Sequence, residues 1–164
     1  MIEVIRNIEQ NKRRLRDQNT EIASAALTAY IGATTAITTA GYIIPWVVVF
    51  RNQAITVSSN IFINIPTAGY YSISLPVRLS AANLWLRCGI LLSTGNTAAI
   101  QTQSTPVGSL QTNYFFNFMR YFPQGETVRI VITPQINCNY VLTGESAEQS
   151  SGFVNVVQLS GAIE

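Results

Sequence analysis

Residues 113–134 read NYFFNFMRYFPQGETVRIVITP, and this stretch decides the fold class. It contains two runs rich in aromatic and β-branched residues, which favour extended structure. A Pro-Gln-Gly segment separates the runs, and this combination is typical of a turn between strands. The pattern therefore predicts one strand at 114–121 and a second at 127–133.

The first of these predicted strands is apolar on both faces. Alternation places Phe116 and Phe118 on one face and Phe115, Met119 and Tyr121 largely on the other. A strand in a sandwich needs only one apolar face, so the second face needs a cover. A neighbouring subunit would supply that cover, and shielding loops of the same chain are the alternative.

The same signals continue in both directions from this stretch. No helix of useful length is predicted between residue 42 and the end of the chain. Ten short strands within about 120 residues predict an all-β jelly-roll sandwich. The ten predicted strands are 46–51, 54–58, 60–65, 70–79, 83–93, 98–102, 114–121, 127–133, 139–143 and 153–159.

The N-terminal part of the chain has a different composition. Ile8, Leu15 and Ile22 repeat at seven residues, the spacing of a coiled coil. We expect a helix from residue 2 to about 30 and an Ala/Thr-rich neck at 23–40. Polar residues in the seam make this stem too weak to assemble alone. A single amphipathic helix packed on its own head is the alternative.

Charge marks the same boundary between a stem and a head. Half of the 18 charged residues lie within the first 21, so we predict a stem and neck at 1–40 and a jelly-roll head at 41–164. A surface so poor in charge suits a chain that buries much of its surface in an oligomer.

The net charge of +2 is too small to indicate a nucleic-acid partner. The basic run Lys12 to Arg16 fits a solvated stem face, and an RNA-binding arm is the alternative.

Catalytic and metal-binding chemistry has few candidates in this sequence. The chain has no histidine, and its single aspartate, Asp17, lies in the predicted stem. Glu145 and Glu148 are close in sequence; we expect them in a solvated loop, and a glycosidase-type carboxylate pair is the alternative. We therefore expect no catalytic site, no metal site and no cofactor, and predict that the protein is not an enzyme.

Targeting signals are also missing from the sequence. The first 14 residues, MIEVIRNIEQNKRR, do not resemble a signal peptide, which predicts synthesis in a cytoplasm. No apolar run is long enough for a membrane span, so no membrane insertion is expected. Cys88 and Cys138 are accordingly predicted to be free thiols that fill the core.

Three segments resemble one known superfamily in order and approximate spacing. They are FINIPTAGYYSISLPVRL at 62–79, RYFPQGETVRIVITP at 120–134 and SGFVNVVQL at 151–159. They are similar to strand pairs and the closing strand of the trimeric jelly-roll superfamily of the complement globular head and tumour necrosis factor type. Phage and viral fibre or spike heads also have this fold. Asn155 and Glu126 depart from the usual Gly and Asp of these motifs.

The resemblance implies a tight homotrimer around aromatic inner strands and gives no residue a chemical role. The aromatic residues expected in the core or the trimer interface, from the resemblance and from alternation together, are Tyr70, Tyr71, Phe115, Phe116, Phe118, Tyr121 and Phe153. The stem residues Ile8, Leu15 and Ile22 are expected to join the same trimer.

A stalked trimeric head made without a signal peptide is typical of a virion-surface fibre, spike or receptor-binding protein. The stem would dock on a virion attachment protein, and the head would bind a saccharide or protein of the host surface. A cellular trimeric ligand of the complement or tumour necrosis factor kind is one alternative, with an extracellular location. A jelly-roll capsid protein with the basic RNA-binding arm is the other.

Overall fold

The computed structural model describes residues 10–11, 25–105, 111–143 and 151–161. From residue 25 onward these residues form thirteen strands. In chain order the strands are β1 (Ala26–Tyr30), β2 (Thr35–Ile37), β3 (Tyr42–Ile43), β4 (Val48–Gln53), β5 (Thr56–Ser58), β6 (Phe62–Asn64), β7 (Gly69–Asn83), β8 (Trp85–Leu92), β9 (Thr97–Ser104), β10 (Gln111–Phe122), β11 (Thr127–Pro134), β12 (Cys138–Tyr140) and β13 (Phe153–Gly161).

The described strands form two antiparallel sheets. Sheet 1 has the order β2-β12-β7-β13-β1-β4, and β10 pairs with the opposite edge of β7. Sheet 2 has the order β5-β6-β11-β8-β9, and β3 shares one edge of β11 with β6. The long strand β7 is the centre of sheet 1, because β10 follows one edge while β13 and β12 divide the other.

The core lies between the two sheets and is built from alternate residues of their strands. Along β7 the residues from Tyr71 to Leu79 alternate strictly between buried and more accessible positions. Val128, Ile130 and Ile132 of β11 face them from sheet 2 and are fully buried. Trp46, just before β4, is also fully buried. The two inward faces interdigitate as expected of a sandwich.

Each of the ten predicted strands corresponds to one of β4 to β13, whereas β3 in the same part of the chain was not predicted. The prediction of an all-β, two-sheet head is confirmed.

The two cysteines differ in burial, although both were expected to fill the core. Both are free thiols, and Cys88 on β8 is buried in the core, whereas Cys138 on β12 is only half-buried.

The predicted helix end and neck are wrong for residues 26–40. Ala26–Tyr30 is a strand of sheet 1 that pairs with β13 on one side and β4 on the other. Thr35–Ile37 pairs with β12. Leu27 and Ala29 are fully buried, so core packing outweighs the helix propensity of these residues. The head therefore begins before residue 41. The stem residues Ile8, Leu15 and Ile22 lie outside the described residues.

Candidate functional site

Strand β10 has one face in the core and one face in solvent. Its inward residues Phe116 and Phe118 are buried. Its outward residues Phe115, Met119 and Tyr121 are 55%, 71% and 44% exposed. The tertiary structure thus assigns the two faces that alternation alone had left open. Large apolar side chains with this exposure need an explanation beyond the chain's own packing.

Neighbouring strands of sheet 1 extend this exposed apolar surface. Tyr121 is opposite Tyr70 of β7, and the two rings meet edge to face with centroids 5.6 Å apart. Ser72 of β7 lies between Met119 of β10 and Val157 of β13, and it pairs with one on each side. We call the exposed large apolar residues of β7, β10 and β13 the apolar face of sheet 1. Its members are Tyr70, Phe115, Met119, Tyr121, Val157 and Leu159.

A row of polar side chains crosses sheet 1 within this surface. Asn117 and Asn155 are both opposite Ser74, on its two sides, and Asn155 is also opposite Thr28. The Thr28 hydroxyl donates a hydrogen bond to Asn155 Oδ1 at 2.6 Å, and Ser72 donates one to Asn117 Oδ1 at 3.1 Å. Each amide oxygen therefore has an intramolecular donor. The face thus combines apolar side chains with a fixed polar row.

The free edge of β10 is covered by glutamine side chains from sheet 2. Gln101 Nε2 on β9 donates a hydrogen bond to the carbonyl oxygen of Asn117 at 2.7 Å. Gln103 both donates to the carbonyl oxygen of Phe115 and accepts from the Phe115 N–H. These bonds satisfy backbone groups that an edge strand would otherwise offer to another chain. Sequence reasoning missed this feature, whose only signal is the QTQ alternation of residues 101–103.

The remaining predicted aromatic residues divide between the core and its margin. Tyr71 is fully buried, and its hydroxyl donates to the carbonyl oxygen of Thr67 at 2.8 Å. Phe153 is half-buried against Tyr30, with ring centroids 5.7 Å apart. The structure thus separates the seven predicted residues into core positions, outward positions and one marginal position. It does not bring all seven into one site.

Reactive side chains are few among the described residues. No group of three or more carboxylate or thiol side chains able to hold a metal ion occurs in this part of the chain. Glu126 accepts hydrogen bonds from the Ser93 hydroxyl, the Ser93 N–H and the Thr127 N–H, and these bonds lower the pKa of its carboxyl. Burial raises the pKa of the Cys88 and Cys138 thiols.

Two predictions remain, one about charged segments and one about membrane insertion. Glu145, Glu148 and the run Lys12 to Arg16 lie outside the described residues. Where the chain is described, it contains no helix with the length and apolar character that a membrane span requires.

Comparisons with known proteins identify the fold through solved structures. No protein family profile matches the chain, and no curated protein sequence is similar to it. Solved structures do match. Eiger TNF from S. frugiperda superimposes with a TM-score of 0.60 at 12% identity, over 85% of this chain and 94% of that one. Murine APRIL at pH 5.0 gives a TM-score of 0.55 at 13% identity, over 82% and 98%. These likenesses show a TNF-like jelly-roll fold.

Proposed function

We propose that this chain is one protomer of a homotrimeric binding protein whose subunits meet through the apolar face of sheet 1. The observation that carries the proposal is the exposure of Phe115, Met119 and Tyr121 on one strand. Burial of apolar surface contributes about 25 cal/mol per Å², and aromatic rings contribute most of it at protein interfaces. A second copy of the chain is the cover that the sequence resemblance also implies.

Two features favour contact through this face over pairing of strand edges. The glutamines of β9 occupy the edge of β10, so that edge has fewer free groups for another strand. The polar row across the face can set the register of the contact, because amide groups buried in an interface require matching partners.

The function that we propose for this trimer is attachment to a host surface as the head of a virion fibre or spike. The heptads at Ile8, Leu15 and Ile22 support a coiled-coil stem, and in this proposal the stem docks on another virion protein. The head would bind a saccharide or protein on the host. The proposal places the protein on the virion surface.

A second candidate is a cellular trimeric ligand of the complement or tumour necrosis factor kind, which would act outside the cell. The likeness to Eiger TNF and to murine APRIL supports this candidate as much as the first. The two functions differ in their partner where attachment uses a saccharide, since a ligand of this kind would bind a receptor protein.

Light scattering on the purified protein tests the assembly. A trimer has a mass of about 54 kDa, three times the 18.0 kDa chain. A monomer at micromolar concentration contradicts the proposal. A glycan array and binding to cells before and after glycosidase treatment then identify the partner. Array binding that glycosidase abolishes on cells supports attachment through a saccharide, whereas cell binding that survives the enzyme indicates a protein partner, which either function allows.

A further inference from the structure

Strands β5 and β6 form a short hairpin at one edge of sheet 2. The two strands pair over three residues each, and the Ile61 N–H closes the turn by donating to the carbonyl oxygen of Ser58 at 3.2 Å. β6 pairs with β11 at only two positions, whereas β8 pairs with β11 along residues 86–92. The hairpin therefore has a short attachment to the rest of its sheet.

The backbone of this hairpin is strained at three positions. Ala54, just before β5, has a φ of 64°, and the turn residues Ser59 and Asn60 have φ values of 49° and 60°. These angles lie in the left-handed region, which alanine and serine rarely adopt because their Cβ atom crowds a carbonyl oxygen, whereas asparagine tolerates it better. Among the described residues other than glycine, these three alone have a positive φ. The strain is thus confined to the two ends of β5.

Two buried side-chain nitrogens without a hydrogen-bond partner lie at the same hairpin. In the described part of the chain, Trp46 Nε1 and Arg129 Nε are the only buried side-chain atoms of this kind. The main-chain N–H of Trp46 donates to the carbonyl oxygen of Asn60 in the turn, and the Arg129 guanidinium lies 5.3 Å from the centroid of the Phe62 ring on β6. A buried donor has lost its bond to water, so each of these two groups raises the free energy of the closed structure.

Apolar burial is what holds the hairpin closed. Ile55, just before β5, and Ile63 of β6 are fully buried. The outward side is polar, and its bonds are internal to the hairpin: Ser58 donates to Asn64 Oδ1 at 3.1 Å, and Asn64 Nδ2 donates to the Thr56 hydroxyl at 2.9 Å. These polar bonds hold the two strands together and add nothing to their attachment to β11. A small apolar contact therefore opposes the strain and the two unpaired N–H groups.

We propose that the β5–β6 hairpin is a flap that opens while the rest of the head stays folded. Opening relaxes the left-handed angles at both ends of β5 and returns the two unpaired N–H groups to water. It also exposes Ile55, Ile63 and Trp46, an apolar surface that the closed head hides. Segments that open at a lower free energy than global unfolding are the ones that move in folded proteins. The flap belongs to sheet 2 and is independent of the proposed contact between protomers on sheet 1.

Amide hydrogen exchange of the full-length protein in increasing urea, followed by NMR, tests the flap. The main-chain N–H of Trp46 donates to Asn60, and that of Ile65 donates to the carbonyl oxygen of Glu126 at 2.9 Å, so both are protected while the flap is closed. Both are expected to exchange about tenfold faster than the N–H groups of β7. Their rates should also depend less on urea, because local opening exposes less surface than global unfolding. Equal rates and equal urea dependence overturn the proposal.

Glycine variants test whether backbone strain drives the opening. Ala54 and Ser59 are exposed, so Ala54→Gly and Ser59→Gly relieve the strain and remove little packing. Each is expected to slow exchange of the Trp46 N–H about threefold. Ala33→Gly is the matched control, because Ala33 is exposed and has an ordinary φ. It should lower global stability and leave exchange at Trp46 unchanged, since residue 33 stays folded when the flap opens. Acceleration at Trp46 in step with β7 in this control contradicts local opening.

Tryptophan fluorescence gives an independent measurement. The chain has two tryptophans, so Trp85→Phe leaves Trp46 as the only one. In that background, Ser59→Gly is expected to reduce acrylamide quenching of the Trp46 emission about twofold, because the closed flap excludes the quencher. Quenching that is the same with and without Ser59→Gly refutes opening at Trp46. If Trp85→Phe does not fold, amide exchange of the parent chain decides. Light scattering reports the assembly separately, so a trimer without local opening refutes the flap alone.

Discussion

The side-chain amide of Gln101 donates a 2.7 Å hydrogen bond to the carbonyl oxygen of Asn117 and so joins β9 of sheet 2 to the edge of β10 in sheet 1. Gln103 makes similar hydrogen bonds to the Phe115 backbone. Side chains therefore connect the two sheets along this edge, where β9 and β10 form no backbone ladder. The edge that is closed belongs to the same strand whose outward face carries Phe115 and Met119. One strand therefore has a protected edge and an exposed apolar face.

Removing both glutamines should destabilise the head and expose the edge of β10. For Gln101→Ala with Gln103→Ala we expect a loss of about 1–3 kcal/mol in the free energy of unfolding, because three hydrogen bonds disappear. We also expect association that grows with concentration. Urea unfolding and sedimentation velocity measure the two effects. Thr102→Ala, an exposed change on the same strand, is the control. A double variant as stable and as soluble as the parent would show that the edge needs no cover.

Adjacent phenylalanines of β10 should have opposite phenotypes. Phe116 is fully buried, so Phe116→Ala should cost about 3–5 kcal/mol and leave a destabilised or unfolded head. Phe115 is exposed, so Phe115→Ala should fold normally and weaken the proposed trimer. Thermal unfolding followed by light scattering distinguishes the two outcomes. If Phe115→Ala forms a trimer as stable as the parent, the apolar face of sheet 1 is not the contact between subunits.

Truncation should locate the start of the folding unit. A chain that begins at residue 25 keeps β1 and is expected to fold and to trimerise, with somewhat lower thermal stability than the full chain. A chain that begins at Gly41 lacks β1, which lies between β13 and β4, and should not fold. Circular dichroism and light scattering check both. A folded, soluble chain from Gly41 would mean that sheet 1 tolerates the loss of an internal strand.

The two thiols should differ in reactivity toward a thiol reagent. Cys88 is fully buried, so it should react only after unfolding. Cys138 is half-buried, and burial raises the pKa of its thiol above the ordinary value of 9.0. Because the thiolate is the reactive form, labelling of Cys138 should be slow at neutral pH and accelerate as the pH rises. Mass spectrometry should find one label on the native protein and two after denaturation. Two rapid labels on the native chain would contradict this ordering.

Local sequence signals were sufficient for much of the fold. Strands β4 to β13 were predictable because alternating apolar residues and turn-forming segments such as Pro-Gln-Gly act over a few neighbouring residues. The two-sided character of residues 114–121 was predictable for the same reason. These features depend on the periodicity of the strand, which needs no knowledge of distant parts of the chain.

Only the tertiary structure decided the features that depend on distant residues. Ala26–Tyr30 resembles a helix locally, and it becomes a strand because β13 and β4 pair with both of its edges and the core buries Leu27. The inward face of β10 is the one that meets sheet 2, which alternation alone cannot specify. The placement of Arg129 over Phe62 likewise follows from the pairing of β11 with β6. Pairing partners far apart in the chain are chosen by the packing of the whole sandwich, so no local pattern can encode them.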